Sequence, residues 1–170
     1  MHRTEYLLLP ANRAFIAFTM LVAFILNVLP WGRLPWVPDF LALVLVFWNI
    51  HQPRKVGIGI AFLFGLVMDV HDASLLGEHA LAYTILSYGA ISMHRRVPWF
   101  GPIGQMLHLL PLFVVARFIS LLVRMAVGGA VPDWSYFQAP LASAVLWPLA
   151  DWLLLAPQRR AVERDEDRPI

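Results

Sequence analysis

Ionisable side chains interrupt the apolar segments of this chain at Asp69, Arg117, Arg124 and Asp151. A charge at the centre of a lipid bilayer costs about 2.5 to 3.5 kcal/mol on insertion scales, so such residues are retained for pairing or for function. Arg117 is the cation closest to Asp69 in predicted depth, and we expect the two to pair. The pair could link two helices, line a polar groove or form part of an ion-conduction path.

The spacing around Asp69 predicts the direction of its side chain. Gly57, Ala61 and Gly65 precede it at intervals of four residues, which places all four residues on one face of a helix. Small residues at this spacing are typical of helices that pack closely in membranes. We therefore expect Asp69 to point toward protein rather than toward lipid.

A polar face is also predicted around Arg117, because Ser120 and Arg124 follow at intervals of three and four residues. Arg124 lies near the end of its segment, where a long side chain can instead extend to the membrane surface. Asp39 follows Pro38 at the start of a segment, where the helix dipole favours a carboxylate.

Signatures of catalysis are not found in the sequence. His71, Asp72, Glu78 and His79 have the composition of a metal site, but no two of them are four residues apart on a helix. The chain has no G-x-S-x-G, H-E-x-x-H or phosphate-binding glycine motif, and it has no cysteine. We expect neither enzymatic activity, nor a metal, nor a cofactor.

The composition is that of a membrane protein. Of the 170 residues, 59% are apolar and 14% are charged, and the mean hydropathy is +0.66; soluble domains carry about 25% charge. The net charge of +2 is too small and too dispersed for a nucleic-acid-binding face, so no nucleic acid is expected as a partner.

Apolar segments and the polar breaks between them predict an all-α membrane protein with six transmembrane helices. The segments cover residues 14–29, 36–50, 56–70, 79–93, 101–127 and 136–156. We expect residues 1–156 to form the membrane domain and residues 157–170, which mix both charges, to form a short cytoplasmic tail.

Lysine and arginine residues predict the orientation, since basic residues are retained on the cytoplasmic side. Ten of the 13 fall before the first segment or after an even-numbered one: Arg3, Arg13, Arg54, Lys55, Arg95, Arg96, Arg159, Arg160, Arg164 and Arg168. Only Arg33 falls in the opposite loops. Both termini are therefore predicted to be cytoplasmic.

In this orientation most of the ionisable residues within segments lie in the outer half of the membrane. These residues are Asp39, Asp69, Glu78, His79, Arg117 and Arg124, with Tyr83 beside them, whereas Asp151 lies near the inner surface. Their accumulation at one depth predicts a polar groove that receives a second polypeptide.

The stretch 38–89 is similar to the rod shape-determining protein MreD family. The resemblance is carried by the Pro38–Asp39 start, Trp48, Pro53, the helix from Gly57 to Asp69 with Gly65, the Leu76–Gly77 turn, His79, Ala80, Leu81, Tyr83 and Tyr88. It covers about one third of the chain. Arg117, Arg124 and Asp151 lie outside it.

The resemblance implies a non-enzymatic scaffold in the bacterial inner (cytoplasmic) membrane that takes part in cell elongation and peptidoglycan synthesis. It implies binding to the single-span membrane protein MreC and, through it, a connection to MreB filaments and wall-synthesis enzymes. It also implies a six-helix fold resembling the substrate-binding subunits of energy-coupling vitamin transporters.

We combine the resemblance with the predicted groove to name candidate partner-binding residues. They are Asp39, Trp48, Gly65, Asp69, Gly77, His79, Tyr83, Tyr88 and Arg117. The alternative function is that of a small-solute-binding subunit of an energy-coupling transporter, because a polar pocket among six helices could hold a solute as well.

Overall fold

A computed structural model describes residues 7–8, 12–31, 34–129 and 132–160 of the chain. The six predicted segments are confirmed as helices, named here in chain order α1 to α6: Arg13–Val28, Phe40–His51, Ile58–His71, Glu78–Met93, Pro102–Ala126 and Gln138–Leu155. Single 3-10 turns at Val97–Trp99, Trp134–Phe137 and Ala156–Gln158 flank α5 and α6.

Local capping interactions explain where two of the helices begin. The Asn12 side chain accepts a hydrogen bond from the N–H of Ala14 at the start of α1. The Asp39 side chain accepts one from the N–H of Ala42, so α2 begins at Phe40, four residues after the start of the predicted segment.

Successive helices run in alternating directions. Asn27 near the end of α1 bonds Asp39 before α2, and Asp69 near the end of α3 bonds the first residues of α4. Arg124 near the end of α5 bonds Glu78 of α4. The ends of α1, α3 and α5 and the starts of α2, α4 and α6 therefore share one end of the bundle, which we call the cleft end.

Helix α2 is the central helix. Nine of its 12 residues are buried, and it packs against α1, α4 and α6. A helix that is apolar all round is stable only when it is surrounded, and α2 meets that condition here. Helix α3 packs chiefly on α4, which packs on α5, which in turn packs on α6.

The opposite end, which we call the termini end, holds both ends of the described chain. Strand β1 (Leu7–Leu8) pairs antiparallel with β2 (Arg159–Arg160), with Leu7 opposite Arg160 and Leu8 opposite Arg159. The prediction of an all-helical fold is confirmed, and this two-residue pair only joins the two ends of the described chain. Residues 161–170 of the predicted tail, as well as Arg3 and Arg33, lie outside the described residues.

The outside of the bundle is largely apolar. Large hydrophobic side chains such as Phe18, Leu63, Leu107 and Val145 are exposed on α1, α3, α5 and α6. Within the described residues, two helical stretches are long and apolar enough to cross a membrane, Pro102–Ala126 and Trp134–Gln158, whereas α1, α2 and α3 are apolar but shorter. Such an exterior fits lipid rather than water as the solvent.

Candidate functional site

An open cleft lies at the cleft end of the bundle, between the α1–α2 connection, α3, α4 and α5. Two adjoining pockets of about 680 and 510 Å³ form it, and both are lined by Asp72, His79 and Arg117. The cleft forms here because α2 and α3 have only 12 and 14 residues, or about 18 and 21 Å at the helical rise, whereas α5 has 25 residues.

Asp69 lies behind the cleft wall, where it is completely buried and lines neither pocket. Its carboxylate accepts hydrogen bonds from the backbone N–H groups of Gly77 and His79, both at 2.7 Å, and of Ala80 at 3.3 Å. The Ser74 hydroxyl donates at 3.1 Å, and Nδ1 of His79 lies 3.0 Å away. Asp69 thus caps α4 from the neighbouring helix, because N-terminal N–H groups need acceptors and favour negative charge.

The predicted pair between Asp69 and Arg117 is wrong. The backbone and side-chain donors of the α3–α4 connection surround the carboxylate of Asp69, and Arg117 makes no salt bridge among the described residues. The prediction that Asp69 points toward protein is confirmed.

Two glycines make this capping geometry possible. Gly77 has φ of +107°, a left-handed conformation that L side chains rarely adopt, and this turn directs its N–H to Asp69. Gly65 lies against α4 so closely that a Cβ there would come within 2.6 Å of the backbone nitrogen of Ala80. Both glycines therefore position α4 and present no side chain to a partner.

Asp39 is the centre of a second hydrogen-bond network that joins four helices. Its carboxylate accepts hydrogen bonds from the Asn27 amide of α1 and the Tyr83 hydroxyl of α4, each at 2.8 Å. Its backbone N–H donates to the Ser143 hydroxyl of α6 at 3.0 Å. Asp39 is half-buried and lines the cleft, so it can stabilise this end of the bundle while one side remains accessible.

His79 connects the two networks. Its Nε2 atom lies 3.6 Å from the carboxylate of Asp72, on the side of the ring opposite Asp69, and its ring meets the Tyr83 ring edge-on at 6.0 Å. The imidazole is therefore held between a buried and an exposed carboxylate. This arrangement fixes the ring as part of the cleft wall.

Arg117 lines both pockets of the cleft, whereas Arg124 lines only the smaller one. The guanidinium carbon of Arg117 lies 3.9 Å above the centre of the Tyr136 ring, and its Nε donates a long hydrogen bond of 3.5 Å to the Tyr136 carbonyl. A cation–π contact orients the guanidinium but leaves in-plane N–H donors available. Arg117 can thus bind a carboxylate or carbonyl that enters the cleft.

Arg124 does not simply extend to the membrane surface. It forms a salt bridge of 2.8 Å with Glu78, whose side chain is buried. An ion pair with one buried member stabilises the junction of α4 and α5 mainly because its loss would leave that charge unpaired. Arg117 and Arg124 therefore share a helix face, as predicted, but have different roles.

Two other candidate residues are not in the cleft. Trp48 lies in the core, where its indole N–H donates to the Thr19 hydroxyl of α1 and its ring packs edge-on against Phe15 and Phe47. Trp48 cannot touch a partner without unfolding, so this candidate is corrected to a core residue. Tyr88 is 63% exposed on the outer surface of α4 and lines neither pocket of the cleft.

The sequence did not identify several residues that complete the site. Asn27, Ser74, Ser143 and Tyr136 supply the partners of Asp39, Asp69 and Arg117. Single polar residues at helix ends are common, so only the three-dimensional structure reveals these contacts. Asp151 lies at the termini end, 3.7 Å from His51 and at the opposite end of the bundle from the cleft.

Comparison with known proteins extends the resemblance to most of the chain. The family model described as rod shape-determining protein MreD matches residues 10–156. The curated Rod shape-determining protein MreD of Haemophilus influenzae is 34% identical over 149 residues, which cover 84% of this chain and 88% of that protein. No solved structure matches the chain significantly.

Proposed function

The chain belongs to the rod shape-determining protein MreD family, and we propose that its cleft binds an MreC-like single-span membrane protein. The family assigns the chain to cell-shape determination, as a membrane protein and not as an enzyme. Binding of a partner would then be its molecular activity.

The accessible guanidinium of Arg117 is the observation that carries this proposal. A cation within an apolar bundle is expensive to retain. Arg117 contacts an aromatic ring and a carbonyl, and no described carboxylate lies within 4 Å of it, although Asp39 and Asp72 line the same pocket. A carboxylate or carbonyl from a second chain would supply the missing acceptor. Arginine is favoured at such sites because its planar fork makes two parallel hydrogen bonds.

The rim of the cleft supports a protein partner rather than water alone. Leu29, Trp31, Leu34 and Val37 line the cleft from the α1–α2 connection, and the first three are exposed. An apolar rim around a polar centre suits a helix with one polar residue, whose apolar side chains would cover the rim. The end of a partner's single membrane span has this chemistry.

We further propose that all six helices cross the bacterial inner membrane, with both termini in the cytoplasm. The alternating helix directions and the β1–β2 pair support an even number of crossings. Arg13, Arg54, Lys55, Arg95 and Arg96 all lie at the termini end, as cytoplasmic basic residues should. The bound partner would connect the chain to MreB filaments and to peptidoglycan-synthesis enzymes.

Single-cysteine labelling tests this topology directly, because the chain contains no cysteine. Leu76→Cys at the cleft end should react with a membrane-impermeant maleimide in cells whose outer membrane has been made permeable. Arg54→Cys at the termini end should react only after the inner membrane is opened. The reverse pattern would contradict the orientation.

Co-purification tests the site. The chain would be co-expressed with the MreC-like protein of the same genome, and recovered partner would be measured per folded chain. We expect Arg117→Gln to reduce the affinity at least about 25-fold, since truncating one member of a buried charged contact costs about 2 to 5 kcal/mol. Arg96→Gln, an equal charge change at the termini end, should have no effect. Equal recovery with both variants would refute the site.

A solute-binding subunit is the second candidate, because the larger cleft pocket of about 680 Å³ is within the usual size range of small-molecule sites. Purified chain without its partner distinguishes the two functions. A small solute that remains bound through purification and is lost in Arg117→Gln would support solute binding. An empty chain that captures the single-span partner would support the scaffold.

A further inference from the structure

A second groove lies at the termini end, between α1 and α3, far from the cleft residues. Its volume is about 620 Å³. Ile16, Ala17, Met20 and Leu21 of α1 and Ile60 and Phe64 of α3 form its apolar walls. Arg13, Arg54 and Lys55 line its entrance, and none of the described residues that line it is acidic.

The depth of this groove matches one leaflet of a membrane. The contact between Phe24 and Phe64, whose ring centres are 6.3 Å apart, marks its inner end. From Arg13 to Leu21, the last residue of α1 that lines the groove, the helical rise amounts to about 12 Å, against about 15 Å for half of the hydrocarbon core. The groove therefore has two chemically distinct parts, which are an apolar interior and an entrance lined by cations.

The cations at the entrance are placed to bind a phosphate. Arg13 and Arg54 are exposed, and neither forms a salt bridge within the part of the chain that the structure describes. Arginine makes bidentate hydrogen bonds with phosphate oxygens, and lysine adds a point charge. Basic pockets between helices at the cytoplasmic surface are suited to anionic lipid headgroups.

We propose that this groove is a binding site for one anionic phospholipid. Arg13, Arg54 and Lys55 hold the phosphate, and one acyl chain lies between α1 and α3 as far as the Phe24–Phe64 contact. The charge complementarity selects an anionic lipid over a zwitterionic one, and the apolar depth selects a lipid over a free phosphate. The lipid would fill the space between two helices that have few direct contacts. This site does not depend on the partner proposed for the cleft.

Lipid titration of the purified full-length chain, followed by native mass spectrometry, tests the proposal. Phosphatidylglycerol, phosphatidylcholine with the same acyl chains, and acyl-free glycerol phosphate are the three probes. Each cation near an anionic lipid contributes about fivefold in affinity, so Arg13→Gln/Arg54→Gln should weaken phosphatidylglycerol binding about 25-fold. Arg95→Gln/Arg96→Gln removes the same charge at the same end of the bundle and should leave the binding unchanged.

A second pair of variants tests the acyl-chain groove. Ala17→Phe places a ring in the groove and should displace the lipid, whereas Val22→Phe, on an exposed part of α1 that does not line the groove, should not. If the double arginine variant fails to fold, Arg13→Gln alone should still show a loss of about fivefold.

Four results would overturn the proposal. They are equal affinity for phosphatidylcholine and phosphatidylglycerol, equal loss with both arginine pairs, binding of glycerol phosphate as strong as that of the lipid, and unchanged binding by Ala17→Phe. Selective phosphatidylglycerol binding that both groove variants weaken, and neither control weakens, would support it.

Discussion

Replacing Asp69 with asparagine tests a buried side chain that accepts hydrogen bonds from four donors of the α3–α4 connection and the start of α4. Oδ1 of Asp69 accepts from the N–H of His79 and the hydroxyl of Ser74 and lies near Nδ1 of His79, while Oδ2 accepts from the N–H groups of Gly77 and Ala80. An asparagine can place its oxygen on only one of these two sides. With the oxygen on the Oδ1 side, its NH2 group faces the donors of Gly77 and Ala80.

The free-energy loss follows from those two donors. A buried N–H left without an acceptor costs about 1 to 3 kcal/mol, and the Ala80 bond is long at 3.3 Å, so we expect a total loss of about 3 kcal/mol. For chains of this length, each kcal/mol of lost unfolding free energy lowers the Tm by about 2 to 4 °C, so the Tm should fall by about 6 to 12 °C. Thermal unfolding of the purified chain in detergent, followed by tryptophan fluorescence, measures it.

Asp72→Asn is the matched control for this experiment. The chemical change is identical, but the Asp72 side chain is 41% exposed and lies 3.6 Å from His79 at its closest ion-pair contact. Exposed substitutions change stability by about 0.5 kcal/mol or less, so the Tm should change by about 2 °C at most. A Tm of Asp69→Asn no lower than that of Asp72→Asn would refute the capping role of Asp69.

Two further substitutions test the packing and the network around the cleft. Gly65→Ala should lower the Tm because its Cβ would meet the Ala80 backbone. Gly59→Ala has nothing within 4 Å of its Cβ and should leave the Tm unchanged or raise it, because alanine is favoured over glycine in helices by about 1 kcal/mol. Equal Tm values for the two variants would contradict the close approach of α3 to α4. Tyr83→Phe removes the 2.8 Å hydrogen bond to Asp39 and should lower the free energy of unfolding by about 2 kcal/mol, as measured by denaturant titration. Tyr88→Phe, at an exposed position, should have little effect. Equal unfolding free energies of the two variants would refute the role of this network.

The helices and the direction of Asp69 could be predicted from the sequence for clear physical reasons. Continuous apolar segments must be helical in lipid because every backbone group needs a partner there. Ala61 and Gly65 are buried on the packed face of α3, and Asp69 continues that face. Gly57, the first residue of the predicted series, instead precedes the helix, with nothing within 4 Å of its Cβ position. These predictions depend only on local composition and on helical periodicity.

The contacts of the candidate residues could not be predicted in the same way. Asp69 was expected to pair with a cation, but the sharp turn at Gly77 brings backbone donors to it instead, and charge alone does not reveal them. Trp48 was named as a partner-binding candidate because it lies in the stretch that resembles the MreD family. It is buried instead, because α2 is the central helix of the bundle. Arg117 was found from its depth, while its neighbour Tyr136 follows a connection whose path the sequence does not specify.

Photo-crosslinking in cells is the most direct test that the cleft receives the partner. A photoreactive amino acid would replace Leu34 on the cleft rim or Leu107 on the lipid-facing side of α5. Both native side chains are exposed, so either position can report on a neighbouring protein. We predict a covalent adduct with the MreC-like protein from position 34 and none from position 107. An adduct from position 107 alone, or none from position 34 while the two proteins still co-purify, would contradict docking in the cleft.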